Sequence, residues 1–418
     1  SIVIPVSVLN ELDKYKTSYD EVGKNAREVH KFLNEIRKLG DMTKGVLHEN
    51  SGVTFYFMVE DFSDLPPSLS KDVNDNKILS SCFTLQKKLE KLKQNHTITV
   101  VTNDYNLSLK AAAYSIPAIE YRGTNLVKVK NYKGFRTVKE SKNFSIEELY
   151  SNKKIKLPKR VKAFENEFFI IKDRVTNSRS AIGQVREQEL VLLNPLPKQC
   201  SIKPKNVEQL LALTALYDPS LKLVTLTGSA GVGKSFLCVA AALDQVLNEG
   251  SAYDRLIISR SLEPLSGKDR IGYLKGSLSE KLAPYIMPLK DALELALGHK
   301  KNTRENSIDY LESAGILEIE PLQYIRGRSI TNAFFIVDEA QNLTKQQVKA
   351  IVTRMGEGSK LVLLGDIDPN QIDNIYVTSH SNGLAQVVER FKDSKISGHV
   401  ELQKGVRSEL ATQGALRL

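Results

Sequence analysis

The most constraining feature of this chain is the stretch LVTLTGSAGVGKS at residues 223–235. Its first half is apolar and β-branched, which is typical of a buried strand. Its second half fits the phosphate-loop pattern G-x-x-x-x-G-K-[ST], and a helix is predicted to follow over residues 236–247. Inward-pointing backbone N–H groups and the start of a helix both favour a bound phosphate. The loop comprises Gly228, Ser229, Ala230, Gly231, Val232, Gly233, Lys234 and Ser235.

A second run, AFFIVDEAQN at residues 333–342, supplies two acids at the end of an apolar strand. In a phosphate-loop protein, Lys234 is predicted to reach the β- and γ-phosphates and Ser235 to ligate Mg²⁺. Asp338 is predicted to hold the same Mg²⁺, and Glu339 to orient or deprotonate the attacking water. The pair of motifs predicts nucleotide hydrolysis. A metabolic kinase would share the loop, but this acidic run argues against one.

Three single residues extend the predicted nucleotide site. Gln371 follows the strand KLVLL at residues 360–364 and is placed to sense the γ-phosphate. Arg407 is a candidate arginine finger, in the same or a neighbouring subunit. Gln209, on a predicted helix, has an amide that can both donate to and accept from adenine. Taken alone, residues of these types more often lie on an ordinary surface.

The N-terminal third alternates strand and helix patterns, which predicts a parallel sheet with helices on both faces. Glu11 lies on the first predicted helix, Asp75 on a later helix, and Asp104 just after a strand. Carboxylates gathered at the carboxyl edge of such a sheet form a site for hard cations that activate water. The competing interpretation is that these acids are helix caps and solvated side chains, and spacing alone favours it.

The net charge of +10 and pI near 9.2 suit a polyanionic partner such as nucleic acid. Residues 151–205 carry much of the excess, with 13 Lys and Arg against 5 Asp and Glu. We predict a basic linker with a small hairpin, in which the apolar runs 168–171 and 190–193 flank a polar turn, SRSAIGQ. It is either a nucleic-acid path or a solvated linker whose lysines protect an edge strand. Arg326 and Arg328 are further candidates for phosphate or RNA contact.

Other features place the chain in a broad class. No apolar run approaches the roughly 18 residues of a membrane span, and the first residues do not show a signal-peptide pattern. Three cysteines, Cys82, Cys200 and Cys238, have no metal spacing and are too few for a disulfide framework. We therefore expect a cytoplasmic protein with no membrane partner.

The N-terminal segments resemble the PIN-type ribonuclease domain over roughly residues 1–125. The resemblance rests on VIPVSVLNELDKYK, KNAREVHKFLNEI, VNDNKIL and VVTNDYNLSLKAAAYSIPAI, in that order. It implies that Glu11, Asp75 and Asp104 are acidic metal ligands, supported by Asn103 or Thr102. In this family a first strand ending in Asp would precede Ser1, so we expect that the sequence is truncated at its N-terminus.

The C-terminal segments resemble the PhoH-type ATPase, a relative of superfamily 1 helicases, over about residues 203–415. Six blocks keep their order: NVEQLLAL, LTGSAGVGKS, SRSLEPLSGKDRIGYLKGSLSEKLAPYIMPL, YIRGRSITNAFFIVDEAQN, LLGDIDPNQID and LQKGVRSELA. The resemblance implies the family roles just described for Gln209, Lys234, Ser235, Asp338, Glu339, Gln371 and Arg407. Lys275 stands where the family commonly has Pro, which puts one loop conformation in doubt.

The combined resemblance implies a PIN–PhoH fusion of fold class α/β. Its expected parts are a PIN-like domain at 1–135, the basic linker at 136–202 and a RecA-like P-loop ATPase at 203–418. It implies an ATP-dependent RNA-unwinding ribonuclease that forms a hexameric ring. The expected cofactors are ATP and Mg²⁺, with Mn²⁺ as a second candidate at the nuclease site. The alternative is an ATP-driven RNA remodeller whose PIN-like domain only binds RNA.

Overall fold

A computed structural model describes residues 1–17, 21–93, 96–121, 132–174, 179–248, 250–261, 278–298, 307–325, 327–366, 368, 371–374, 377 and 381–405. The chain divides into two compact units, Ser1–Thr124 and Asn125–Leu418. Both are built from mixed helices and strands, which confirms the predicted α/β class. No helix in the described ranges is long and apolar enough to cross a bilayer.

The first unit contains five short strands and four helices among its described residues. They are β1 (Ile2–Pro5), α1 (Val6–Tyr15), α2 (Glu21–Leu39), β2 (Val46–His48), β3 (Val53–Met58), α3 (Asn74–Lys91), β4 (Val100–Val101), α4 (Tyr105–Ala113) and β5 (Ala118–Ile119). The sequence predicted a parallel sheet, and the pairings of β1 with β3 and of β4 with β5 are parallel, but the five strands do not form a single sheet. They make one sheet in the order β1-β3-β2 and a separate β4-β5 pair. A short turn joins β2 to β3, so these two strands pair antiparallel.

The helices of the first unit bury two small apolar cores. Ile36 of α2 packs with Val46 and Phe55 of the three-stranded sheet. Leu79 of α3 and Ala111 of α4 belong to the second core, beside the β4-β5 pair. The second core is small because β4 and β5 contribute only two residues apiece.

The second unit begins with a five-stranded sheet in the region predicted to be a linker. Its elements are β6 (Phe135–Lys139), α5 (Ile146–Asn152), β7 (Lys154–Lys156), β8 (Phe168–Lys172), β9 (Ser180–Arg186) and β10 (Glu189–Leu192), in the strand order β6-β8-β9-β10-β7. The prediction that SRSAIGQ forms the turn of a hairpin was wrong. Most of SRSAIGQ lies in β9, between the two apolar strands it was expected to connect. Ala181 and Val185 are buried, and Gly183 leaves room for Leu190, whose side chain would lie 2.6 Å from a Cβ there.

The rest of the second unit is a six-stranded sheet flanked by helices. Its elements are α6 (Val207–Tyr217), β11 (Leu223–Thr227), α7 (Lys234–Leu247), β12 (Arg255–Arg260), α8 (Leu278–Gly298), α9 (Ile308–Ser313), β13 (Leu317–Ile319), β14 (Ala333–Asp338), α10 (Lys345–Val352), β15 (Lys360–Gly365), α11 (Gly383–Phe391) and β16 (Ser397–Glu401), with short 3₁₀ turns at Leu322–Ile325 and Ala340–Asn342. The strand order is β13-β12-β14-β15-β11-β16, and every pairing is parallel. The carboxyl ends of all six strands therefore share one edge, where ligands bind in open α/β sheets.

Candidate active site

The phosphate loop joins β11 to α7 at the carboxyl edge of the large sheet. Gly228, Gly231 and Gly233 have positive φ values of 141°, 85° and 95°, which residues with a side chain rarely adopt. The ammonium of Lys234 donates to the carbonyls of Gly228 at 2.5 Å and Ser229 at 3.0 Å. Lys234 and Ser235 open α7, so the loop has the strand–loop–helix geometry that the sequence predicted.

The predicted acid pair lies at the same edge, at the end of β14. Asp338 is buried, with 7% exposure, and Glu339 adopts a left-handed conformation with φ of 53°. Burial raises the pKa of Asp338 to about 6, with the charge of Glu339 acting in the same direction and Arg260 and Lys234 in the opposite one. Because β15 alone separates β14 from β11, the acid pair and the phosphate loop lie close together at the same edge of the sheet.

Gln341 connects Glu339 to the segment after β15. Its amide donates to Glu339 Oε2 at 2.6 Å and to the Gln371 carbonyl at 3.0 Å, and its oxygen accepts from the backbone N–H of Asp366 at 3.1 Å. The other Glu339 oxygen forms an ion pair with Arg260 at 3.0 Å. The structure thus brings the backbone of Gln371 beside the acid pair, while its side chain is exposed.

The first turn of α6 contacts the phosphate loop and the segment after β16. The buried Gln209 amide accepts from Lys205 N at 2.8 Å and donates to the Val232 carbonyl of the loop at 3.3 Å. The neighbouring Glu208 accepts from the backbone N–H groups of Gln403 at 2.7 Å and Lys404 at 2.9 Å, just after β16. Gln209, predicted to contact adenine, is in this structure bonded to the protein backbone.

The oxygen donors at this edge fit a Mg²⁺–nucleotide. Such sites use one or two protein side chains together with substrate phosphates. Ser235 and Asp338 provide hard oxygen ligands of this kind. Asp366 Oδ2 and Thr227 Oγ1, at the ends of β15 and β11, are buried and have no hydrogen-bond partner in the described structure. Unpartnered buried oxygens are costly, so these two atoms fit a site completed by a cation, water or phosphate.

The predicted nuclease acids of the first unit each have a different partner. Glu11 accepts from the Asn74 amide at 3.0 Å, and Asp75 forms an ion pair with Lys110 at 2.8 Å. Asp104 caps α4 by accepting from Asn106 N at 2.7 Å, as the helix-cap interpretation expects. The supporting Thr102 hydroxyl accepts from Asp104 N, and Asn103 accepts from Tyr121 N. Within the described ranges, no three His, Cys, Asp or Glu residues are grouped to hold a metal ion.

Of the remaining basic residues singled out in the sequence, only Arg328 lies among the described residues. Arg328 forms ion pairs with Glu318 at 2.9 Å and Glu320 at 2.8 Å, so carboxylates occupy its guanidinium. Arg326, Arg407 and Lys275 lie outside the described residues.

Sequence reasoning assigned no site role to Glu208, Arg260 or Gln341. Arg260 ends β12 beside Asp338, and a search for polar residues at strand ends would have found it. Glu208 leaves no such signal, because the groups it binds are 195 and 196 residues away.

Comparison with known families matches both units. Residues 201–415 match the model of the PhoH-like protein family, and residues 1–122 match a PIN domain. Protein PhoH2 of Bacillus subtilis is 39% identical over 99% of this chain and 93% of its own length. Protein PhoH2 of Mycolicibacterium smegmatis is 31% identical over 98% of this chain and 90% of its own length. Among solved structures, the large terminase of a thermophilic bacteriophage covers 51% of this chain and 50% of its own, with TM-score 0.30 and 15% identity, too weak a likeness to carry an argument.

Proposed function

The chain belongs to the PhoH-like protein family and carries an N-terminal PIN domain, and on that basis we propose that it is an ATP-dependent RNA-unwinding ribonuclease. The observation that carries the ATPase part is the shared sheet edge. The phosphate loop after β11 and the acid pair after β14 lie at the same edge of the sheet, separated by the single strand β15.

In the proposed ATP hydrolysis, each side chain at this edge has a separate task. Lys234 would bind the β- and γ-phosphates, and Ser235 and Asp338 would hold Mg²⁺, which would supply positive charge against the phosphates. Glu339 accepts a hydrogen bond from the attacking water and takes its proton. Gln341 keeps the Glu339 carboxylate oriented, and its bond to the Gln371 backbone links that carboxylate to the proposed γ-phosphate sensor.

Glu208 is expected to position the chain that leaves β16 beside the phosphate loop. Replacing Glu208 by Ala removes the acceptor for two backbone N–H groups, and we expect kcat to fall about tenfold with little change in KM for ATP. Glu208→Gln keeps one amide oxygen and should lose less. Steady-state phosphate release, with thermal unfolding as the control for folding, measures both variants. An unchanged kcat in the Ala variant would contradict this role.

We further propose that the substrate is RNA and that subunits assemble into a hexameric ring, as the resemblance implies. In such a ring, Arg407 would act as the arginine finger. The proposal is supported by the basic charge of the chain and by the family membership. Light scattering with ATP and Mg²⁺ tests the ring, and the absence of ring-sized particles would contradict it.

The nuclease half is tested by Asp75→Asn combined with Asp104→Asn. Asn can still cap α4, so the substitutions remove charge while preserving the helix start. An end-labelled RNA duplex with a single-stranded tail is incubated with the protein in Mg²⁺ or Mn²⁺, with and without ATP. The unsubstituted protein should yield short fragments that increase with ATP, and the double variant should yield none while still hydrolysing ATP. Fragments that persist in the double variant would place the cleavage site elsewhere.

The second candidate is an ATP-driven RNA remodeller whose PIN domain only binds RNA. It is favoured by the ion pair of Asp75 with Lys110 and by the capping role of Asp104, which leave these acids separately engaged. In the same gel, an intact displaced strand without fragments in either metal would support this candidate.

A further inference from the structure

The five-stranded sheet carries a strongly basic surface along its edge strand β7. We define the basic surface as Lys153, Lys156, Lys159, Arg160 and Lys162, all of which are exposed. No Asp or Glu occurs between residues 151 and 164. Lys154 forms an ion pair with Glu189 at 2.8 Å, but none of the five members does so with any described residue. The strand pairing places Glu189 opposite Lys156, but the Glu189 carboxylate is engaged by Lys154.

The backbone beneath the basic surface is held in place by apolar side chains. Ile155 and Leu157 alternate with the lysines and are buried, with exposures of 6% and 8%. They pack in one core with Leu149 of α5 and Leu190 of β10. The basic side chains consequently project from an ordered strand and the segment after it. Ordering the backbone before a ligand binds lowers the entropic cost of binding.

We propose that the basic surface is the site where this protein binds the phosphate backbone of single-stranded RNA. Lys and Arg side chains bind phosphates through charge and displace counterions, whatever the base sequence. The segment 151–162 contains no aromatic residue on which a base could stack. The expected recognition is thus electrostatic and tolerant of sequence. This inference rests on the proposed function, because it takes RNA as the partner.

The basic surface is tested by replacing its five members with Gln and measuring binding of a short labelled single-stranded RNA by fluorescence anisotropy. Binding is measured between ~50 and ~200 mM salt. Each lost phosphate contact should reduce the magnitude of the slope of log affinity against log salt by about 0.7. The loss of all five contacts would therefore reduce the magnitude of the slope by up to about 3.5. ATP hydrolysis without RNA should be unchanged, because the basic surface lies on a different sheet from the phosphate loop.

A matched control removes the same charge elsewhere. In this control, Gln replaces five exposed lysines that lie on helices and not on β7: Lys38, Lys88, Lys91, Lys345 and Lys349. We expect this control to keep most of the RNA affinity and the salt slope. Equal losses in both variants would show a net-charge effect and overturn the proposed site.

Two further outcomes separate the remaining explanations. If the five-residue variant binds RNA as before but self-associates in light scattering, the lysines protect an edge strand, and the site is overturned. If the unsubstituted protein binds no RNA even at the lowest salt, both the proposed function and this surface fail. RNA binding that is retained by the unsubstituted protein and the control variant, but lost by the five-residue variant, supports both.

Discussion

Lys234→Ala is expected to lower the rate of ATP hydrolysis by at least about 10³-fold, or about 4 kcal/mol of activation free energy. The lysine charge faces phosphates whose negative charge shifts during γ-phosphoryl transfer, and the phosphate loop holds no second lysine. In the structure its ammonium donates to two loop carbonyls, at 2.5 and 3.0 Å, and the residue belongs to neither apolar core of the large sheet. The fold should therefore survive the substitution.

The measurement is phosphate release with saturating ATP and Mg²⁺, together with thermal unfolding. Lys222→Ala is the matched control, because Lys222 precedes the same strand at its opposite end and its ammonium donates to the Pro219 carbonyl, away from the loop. We expect this control to retain its turnover. Normal turnover in Lys234→Ala would overturn the assignment of the nucleotide site.

Asp338→Asn is expected to lower ATP hydrolysis at least about 100-fold while stabilising the folded protein. Asn cannot supply the charged oxygen that holds Mg²⁺, although its oxygen can still accept the Glu339 N–H. Burial raises the pKa of Asp338 from 3.8 to about 6, so ionising this carboxyl above pH 6 costs folding free energy. Two pKa units correspond to about 3 kcal/mol, which the neutral Asn variant should regain near pH 7.

The sign of the pH dependence makes this prediction specific. Between pH 4 and 6 the folded state holds a proton on Asp338 that the unfolded state has released, so ionisation lowers stability as pH rises. The stability advantage of Asp338→Asn should therefore be small near pH 4 and complete above pH 6. Denaturant unfolding of both proteins at pH 4 and at pH 7 measures this difference in stability. The matched control is Asp254→Asn, because Asp254 is an exposed acid that precedes β12, at the opposite edge of the sheet from Asp338. It should change neither the rate of ATP hydrolysis nor the stability. An Asp338→Asn variant that is no more stable than the unsubstituted protein at pH 7 would contradict the argument.

Much of the second unit could be predicted because its signals are local. A buried strand of five residues, a glycine pattern and an acid pair at a strand end each lie within about a dozen residues, and the structure has them as strand, loop and edge. The region 136–202 was harder. SRSAIGQ has the composition of a turn, yet most of it forms strand β9, which pairs with β10. Gly183 has no side chain, and the space this leaves is filled by the side chain of Leu190 from β10. Packing across the sheet overrode local preference there.

Residue patterns alone were enough to establish the family, the α/β class and the types of residue in the phosphate loop and the acid pair. Each of these features is encoded by residues that are close together in the sequence. Contacts between residues far apart in the sequence depended instead on how the chain folds. Glu208 holds a segment 195 residues away, and Lys360 is fully buried with its ammonium on the carbonyls of Leu216 at 2.5 Å and Asp218 at 2.8 Å. Burial lowers the pKa of Lys360 to about 7. Such partners come together by chain folding, and no spacing along the sequence encodes the distance between them.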